Sequence, residues 1–373
     1  MTRKEKLRNK IQTKKDKRRE KYDNIDLICH FNKIVQAFIL SKKNVSWKST
    51  ILHFELTLAR SVFQILDKII NVSIDGLLKF NVFTLNERGK IRIIKSINVD
   101  ERVIQHALCD NIIVPYLSSM LIYDNSASVK NKGTTFAIER FKTHLHRFFR
   151  SNNQCNKGYI IQIDIRHYFD SISHLRLEEM IEKLFDDKII KKNIYRVINS
   201  FESEYGLGLG TQLSQILAVY YLNGIDHYIK EQLYCKYYAR YMDDSYIICK
   251  SYKEALYILN EVNNLYENIG LELHKDKTKI IDLSEEKPIV YLKKNFILTK
   301  TGKVIVYQNK QSISHFAYKM KKLYKLYEKG VYQLQYLVNI YNMFQGCNKK
   351  YITYKYYKKL ENKICEVAPD IFV

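Results

Sequence analysis

Three aspartates are the residues of this chain best able to do chemistry. Asp164 closes the short β-prone run Ile160–Ile165, just before a helix-like stretch that opens after Ser173. Asp243 and Asp244 sit between two further β-prone runs, in Lys236-Tyr-Tyr-Ala-Arg-Tyr241-Met242-Asp243-Asp244-Ser-Tyr-Ile-Ile-Cys249. That pattern predicts a hairpin with acids at its tip. A lone Asp after a strand is also an ordinary capping or turn residue, and an Asp pair in a turn is common. The combination is not common, because Asp243 follows Asp164 by 79 residues. Three carboxylates on one sheet edge repel each other unless divalent cations lie between them. Oxygen ligands with retained waters suit Mg²⁺. Two such ions about 3.5–4 Å apart serve an in-line phosphoryl displacement, one at the attacking oxygen and one at the leaving oxygen.

Between these acids lies Gly206-Leu-Gly208-Leu-Gly210-Thr-Gln212-Leu-Ser214-Gln215, followed by a helical stretch from Ile216 to Ile229. Its glycine spacing matches neither nucleotide-binding loop pattern, G-x-x-x-x-G-K-[ST] or G-x-G-x-x-G. A loop that lets backbone approach a base pair fits, and so does a plain helix entry. Upstream, apolar residues recur at helical spacing from about Asn24 to Phe83, with Ile51, Phe54, Leu58 and then Val62, Ile65, Ile69 forming stripes. Arg88-Gly89-Lys90 reads as a turn between short strands, since Ile91, Ile93 and Ile94 follow it. Helix is expected over Asp100–Leu121 and, in a Lys/Tyr-rich pattern, from Ser312 to Ile364.

Composition narrows the partners. The 373 residues carry 62 Lys+Arg against 39 Asp+Glu, a net charge of +23, with 30 Tyr and 17 Phe. Cations for phosphates and rings for bases point to a nucleic acid, although an AT-rich coding sequence would also enrich Lys and Tyr. Residues 1–22 alone hold eleven Lys/Arg against three acids, either a phosphate-binding arm or a solubilising tail. The seven cysteines are scattered, with no C-x-x-C pair, which argues against a disulfide framework or a zinc site. Apolar runs such as Ile216–Leu222 are too short to cross a bilayer. With no apolar leader at the N-terminus, the expectation is a cytoplasmic chain with no membrane partner.

Taken together, Tyr241-Met-Asp-Asp244, the strand-ending Asp164 with Phe169 five residues on, and the glycine-loop helix between them resemble reverse transcriptases. Arg88-Gly-Lys90-Ile-Arg92 with Asp100-Glu-Arg102-Val-Ile-Gln105 is similar to the fingers of group II intron-related bacterial enzymes. Asn125–Gly133 resembles their next finger segment, Gly270–Thr278 their lysine-bearing palm segment, and Tyr341–Asn348 a thumb element. Ser214-Gln215, where group II enzymes usually carry Ser-Pro, resembles diversity-generating retroelement and some defence-associated enzymes. One departure is Tyr291-Leu-Lys293-Lys294 in place of a Phe-Leu-Gly-Tyr-like primer grip.

The resemblance implies an α+β right-hand polymerase with an antiparallel palm sheet. Residues 1–79 would be a basic arm and helical region, 80–300 the fingers and palm, and 301–373 a helical thumb. It implies RNA-directed DNA polymerase activity: attack of a primer 3′-OH on a dNTP, in a diversity-generating retroelement or antiphage defence system. Asp164, Asp243 and Asp244 would hold two Mg²⁺, and Lys277 would protonate the leaving pyrophosphate. Lys90 and Arg92 would hold the triphosphate, Phe169 would exclude a ribose 2′-OH, and Gln215 and Gly210 would contact the templating pair. Implied partners are an RNA template (a dedicated non-coding RNA), nascent DNA, dNTPs and a small accessory protein or second subunit. A non-catalytic RNA scaffold is disfavoured by the three intact acids. Another palm-type nucleotidyl enzyme, such as a cyclase, is disfavoured by the finger and thumb matches.

Overall fold

The computed structural model describes residues 3–73, 76–87, 90–201, 203–352, 354–366 and 368–372. Helices α1 (Arg3–Tyr22), α2 (Phe31–Ser41), α3 (Ser49–Leu56) and α4 (Leu58–Ile70) lead into the strands β1 (Asn81–Glu87) and β2 (Lys90–Ser96). Then come α5 (Val99–Leu108), a π-helical turn over Cys109–Ile113, α6 (Val114–Ser118) and α7 (Thr134–Ser151). Strand β3 (Tyr159–Ile163) precedes α8 (His174–Leu184), α9 (Lys188–Asn199), α10 (Gln212–Tyr221) and α11 (Asn223–Glu231). The hairpin β4 (Tyr238–Tyr241) and β5 (Asp244–Cys249) is followed by α12 (Tyr252–Glu267) and β6 (Lys279–Asp282). The chain continues through β7 (Ile289–Tyr291), β8 (Lys294–Leu298) and β9 (Val304–Gln308) to α13 (Lys310–Glu328), α14 (Leu334–Asn348) and α15 (Tyr354–Cys365).

Two compact units divide the chain. The first comprises Met1–Gly133, Gln162–Tyr246 and Tyr257–Lys279; the second comprises Thr134–Ile161, Ile247–Leu256 and Ile280–Val373. The strands form a two-stranded β1-β2 sheet, a four-stranded sheet in the order β4-β5-β3-β6, and a three-stranded β7-β8-β9 sheet.

In the first unit the α4 stripe is buried at Val62, Ile65 and Ile69, as its spacing predicts. Phe38 of α2 stacks on Phe54 of α3 at 4.3 Å. Caps set the helix starts: Asn98 accepts from the Glu101 amide, and Asp187 accepts from the amides of Ile189 and Ile190. In the second unit, α13, α14 and α15 bury Phe316, Met320, Leu337, Leu360 and Ile364 in one cluster. Side chains of that size contribute about 1.5–3 kcal/mol each when removed from water, so this segment holds a core of its own.

Two sequence expectations need correction. The helical spacing read through to Phe83 stops at Ile70, and Phe83 lies in β1, opposite Ile94 of β2. Its flanking residues Val82 and Thr84 and the facing Ile93 and Ile94 are β-branched, a composition that suits a pleated pair better than a helix. The single helix expected over 216–229 is two helices, broken at Leu222, and the first begins earlier, at Gln212. Thr211 starts it by accepting a bond from the Ser214 amide at 3.1 Å. The turn expected at Arg88-Gly89 lies outside the described residues; the strands that flank it pair antiparallel with Glu87 opposite Lys90.

Candidate active site

β3 buries Ile160, Ile161 and Ile163, and the chain leaves the sheet at Asp164. The turn His274–Thr278, more than a hundred residues later, docks on that point. The His274 amide donates to the Asp164 carbonyl at 2.8 Å, and the Asp164 amide donates to Thr278 Oγ1 at 3.3 Å. Within this turn the Thr278 amide returns to the His274 carbonyl at 2.8 Å. Its geometry aims Lys277 back at the acid, and Lys277 Nζ lies 2.7 Å from Asp164 Oδ1. Sequence reading named both residues but gave no sign that they touch.

The second acid comes from the β4–β5 hairpin. Met242 turns the chain with φ +60°, a left-handed conformation that non-glycine residues rarely adopt. Asp243 follows in the turn, and Asp244 begins β5, both half-buried. Burial pushes the Asp243 carboxyl above the usual range, and the Asp164 charge raises it further; Lys277 and Arg92 pull the other way. The Asp164 charge therefore adds to the cost of ionising Asp243, and a cation between the two would offset it.

Glycines join the remaining walls. The Leu207 amide donates to the Phe169 carbonyl, and the Gly206 amide to the Ile172 carbonyl, both at 2.8 Å. On its other side this loop meets β2, where the Lys95 amide donates to the Leu209 carbonyl at 2.9 Å. At Gly210, with φ +126°, a Cβ would come within 2.7 Å of the Lys95 carbonyl oxygen. Only glycine fits there. The loop is thus a strut between the Phe169 segment and the β2 strand that carries Arg92.

The result is a cleft of about 980 Å³ lined by Arg92, Asp164, Phe169, Asp243 and Lys277, among others. Phe169 is half-buried, its ring edge-on to Tyr168 at 5.8 Å. Asp244 and Gln215, the latter exposed on α10, are not among the described residues that line it; nor is Gly210, although Leu209 is. The Lys90 side chain lies outside the described residues. Sequence reading missed Arg166, His167, His274 and Lys275, which also line the cleft; their signal was proximity to Asp164 and Lys277.

Among the described residues no group of three or more His, Cys, Asp or Glu is close enough to form a metal cage. Mg²⁺ does not require one, since it is usually held by one or two carboxylates plus substrate phosphates and waters. The donor set of Asp164 and Asp243, hard oxygens in a mutually repelling pair, fits that ion.

Residues 79–334 match the family model of the reverse transcriptases, the RNA-dependent DNA polymerases. The chain belongs to this family, and the segment is an RNA-directed DNA polymerase domain of the α+β right-hand type. No curated protein matches the chain by sequence. Among solved structures, it is similar to a telomerase from Candida albicans in complex with a fragment of telomeric RNA. That likeness has 14% identity and a TM-score of 0.48, over 80% of this chain and 60% of that one. An apo telomerase from Candida Tropicalis is similar at 12% identity and TM-score 0.48, over 83% of this chain and 66% of that one. The chain thus spans less than two thirds of the length of either telomerase chain. No helix among the described residues is long and apolar enough to cross a membrane.

Proposed function

We propose that this chain extends a primer 3′-OH with dNTPs on an RNA template, using Asp164, Asp243 and Asp244 to hold two Mg²⁺. One observation carries the reading: Arg92, Asp164, Phe169, Asp243 and Lys277, drawn from four distant stretches of sequence, line a single cleft. Bound there, Mg²⁺ supplies Lewis-acid activation and charge neutralisation at the reacting phosphate. The chain's own residues do the rest. Arg92, with Lys90 two residues before it, binds triphosphate oxygens as a fixed cation. Lys277 gives up Asp164 when substrate enters and delivers its proton to the leaving pyrophosphate. Phe169 rejects a ribose 2′-OH by bulk, and the Gly210 loop with Gln215 of α10 lies under the templating pair.

Residues 1–79 would then be a basic arm with a helical region, 80–300 the fingers and palm, and 301–373 the thumb. The Ser214-Gln215 form supports an enzyme of a diversity-generating retroelement or an antiphage defence system, which we place in the cytoplasm. Its partners would be a dedicated non-coding RNA, the nascent DNA, and a small accessory protein or second subunit. The test is dNTP incorporation on a primed RNA template. Incorporation should require a divalent ion, and Phe169→Ala should raise the ratio of rNTP to dNTP use. An unchanged ratio would place the gate elsewhere; no incorporation on any primed RNA would remove the reading.

A further inference from the structure

We propose that Arg240 is a positioning residue for the acidic turn, acting through the Met242 carbonyl, with Asp226 fixing it in place. This rests on the polymerase reading of the cleft but concerns residues outside it. Arg240 stands on β4, and neither it nor Asp226 exposes any surface. Its guanidinium donates to both carboxylate oxygens of Asp226, Nε to Oδ1 at 2.8 Å and Nη2 to Oδ2 at 2.6 Å. Nη2 also donates to the Val219 carbonyl, and Nη1 to the Met242 carbonyl, each at 2.8 Å. Asp226 is itself fixed, accepting from the Tyr238 hydroxyl at 2.6 Å and from Asn125 Nδ2 at 3.3 Å.

The placement of these bonds separates positioning from mere stability. A buried ion pair is a weak source of stability, since apolar side chains of similar volume often do as well. What apolar side chains cannot do is hold a carbonyl in one orientation. Met242 C=O belongs to the peptide plane whose nitrogen is that of Asp243, so fixing the oxygen fixes where the Asp243 side chain departs. The Met242 conformation costs about 1–2 kcal/mol, and such backbone persists only where its surroundings enforce it. Val219 of α10 and Asp226 of α11 lie on the helices that follow the glycine strut. The guanidinium therefore sets the acidic turn against the same helices that the strut introduces. Catalytic groups must stay within about 0.5 Å of their productive places, and Arg240 grips the Met242 carbonyl one peptide from Asp243.

The experiment compares single-turnover and steady-state dNTP incorporation in wild type, Arg240→Lys, Asp226→Asn and each combined with Met242→Gly. Lysine keeps a charge for Asp226 but cannot also reach the Met242 carbonyl. Arg240→Lys should lower kcat per folded molecule by about 10–100-fold, the scale of a 1 Å misplacement, with the dNTP KM moving less than threefold. Asp226→Asn, which loosens the guanidinium, should lower kcat by a smaller factor. Glycine adopts the left-handed turn freely, so adding Met242→Gly should recover about fivefold of the lost kcat without raising the melting temperature. A kcat that follows only the folded fraction, or no recovery with Met242→Gly, would overturn the proposal. Failure of both single variants to fold would do so too, because the pair would then be a folding element. An inactive wild type would instead remove the polymerase reading.

Discussion

Arg240 of β4 and Lys294 of β8 are both buried cations on strands, and they keep opposite company. Burial alone would lower the pKa of either. At Arg240 the adjoining Asp226 carboxylate overrides burial and raises it. Among the described residues Lys294 donates to neutral amide oxygens, those of Gln308 and, at 2.5 Å, of Asn348, with the Tyr351 ring 4.4 Å away. Burial there wins over the opposing effect of Cys347, with the Lys350 charge a lesser help, and its pKa falls to about 8. One cation is locked in its charged form beside the acidic turn; the other sits at the edge of neutrality. Burial of a cation therefore tells little by itself, and the nature of its acceptors decides whether the charge is permanent.

Removing the acceptor should break the comparison most sharply. Asp226→Asn leaves Arg240 buried without its counter-charge and should lower unfolding stability by about 3 kcal/mol, read from urea midpoints. Lys294→Met should be neutral at pH 7, or stabilising by up to about 1 kcal/mol, since no anion loses its partner. The sign with pH follows from linkage. Between about pH 8 and the ordinary lysine value of 10.5 the unfolded chain binds more protons at Lys294 than the folded one. Wild type should therefore gain stability relative to Lys294→Met as pH rises through that window. A constant difference between the two proteins would mean that Lys294 is fully charged in the fold.

A third cationic setting is smallest in its effect on stability. The described side chains of α1 from Lys10 to Lys17 are exposed, and its last turn is anchored by Arg19, 2.9 Å from Asp186 and 2.6 Å from the Lys183 carbonyl. Residues 1–18 hold nine of the eleven cations of the arm. Deleting them should leave the melting temperature unchanged and weaken RNA binding for all sequences alike. The slope of log affinity against log salt should flatten by roughly two to four units, the loss of three or four phosphate contacts. An unchanged slope would make the arm a solubilising tail.

How much of this was legible in the sequence differs with chain distance. Asp164 and the Asp243-Asp244 tip could be read because each is bounded by apolar runs of strand composition within a few residues. Tertiary contacts could not be read: nothing local to Gly270–Thr278 reveals that its turn closes on Asp164. Gly210 was named for a base pair, whereas the β2 backbone beside it already demands glycine. The three-stranded β7-β8-β9 sheet went unread, since its strands are only three to five residues long. Its first turn places Leu292 and Lys293 at φ +46° and +64°, where local preference favours Asn or Gly. Arg240 did leave a signal, a lone charge within Tyr-Tyr-Ala-Arg-Tyr, but its partner Asp226 lies in a helix that reads as ordinary.

The central claim is that Asp164 and Asp243 hold the metal for nucleotidyl transfer. Primer extension with dNTPs and Mg²⁺ on an RNA template, comparing wild type with Asp164→Asn and Asp243→Asn, tests it directly. Both variants should fold and bind RNA as wild type does, with incorporation reduced to background. Wild-type extension by either variant would contradict the assignment of the cleft.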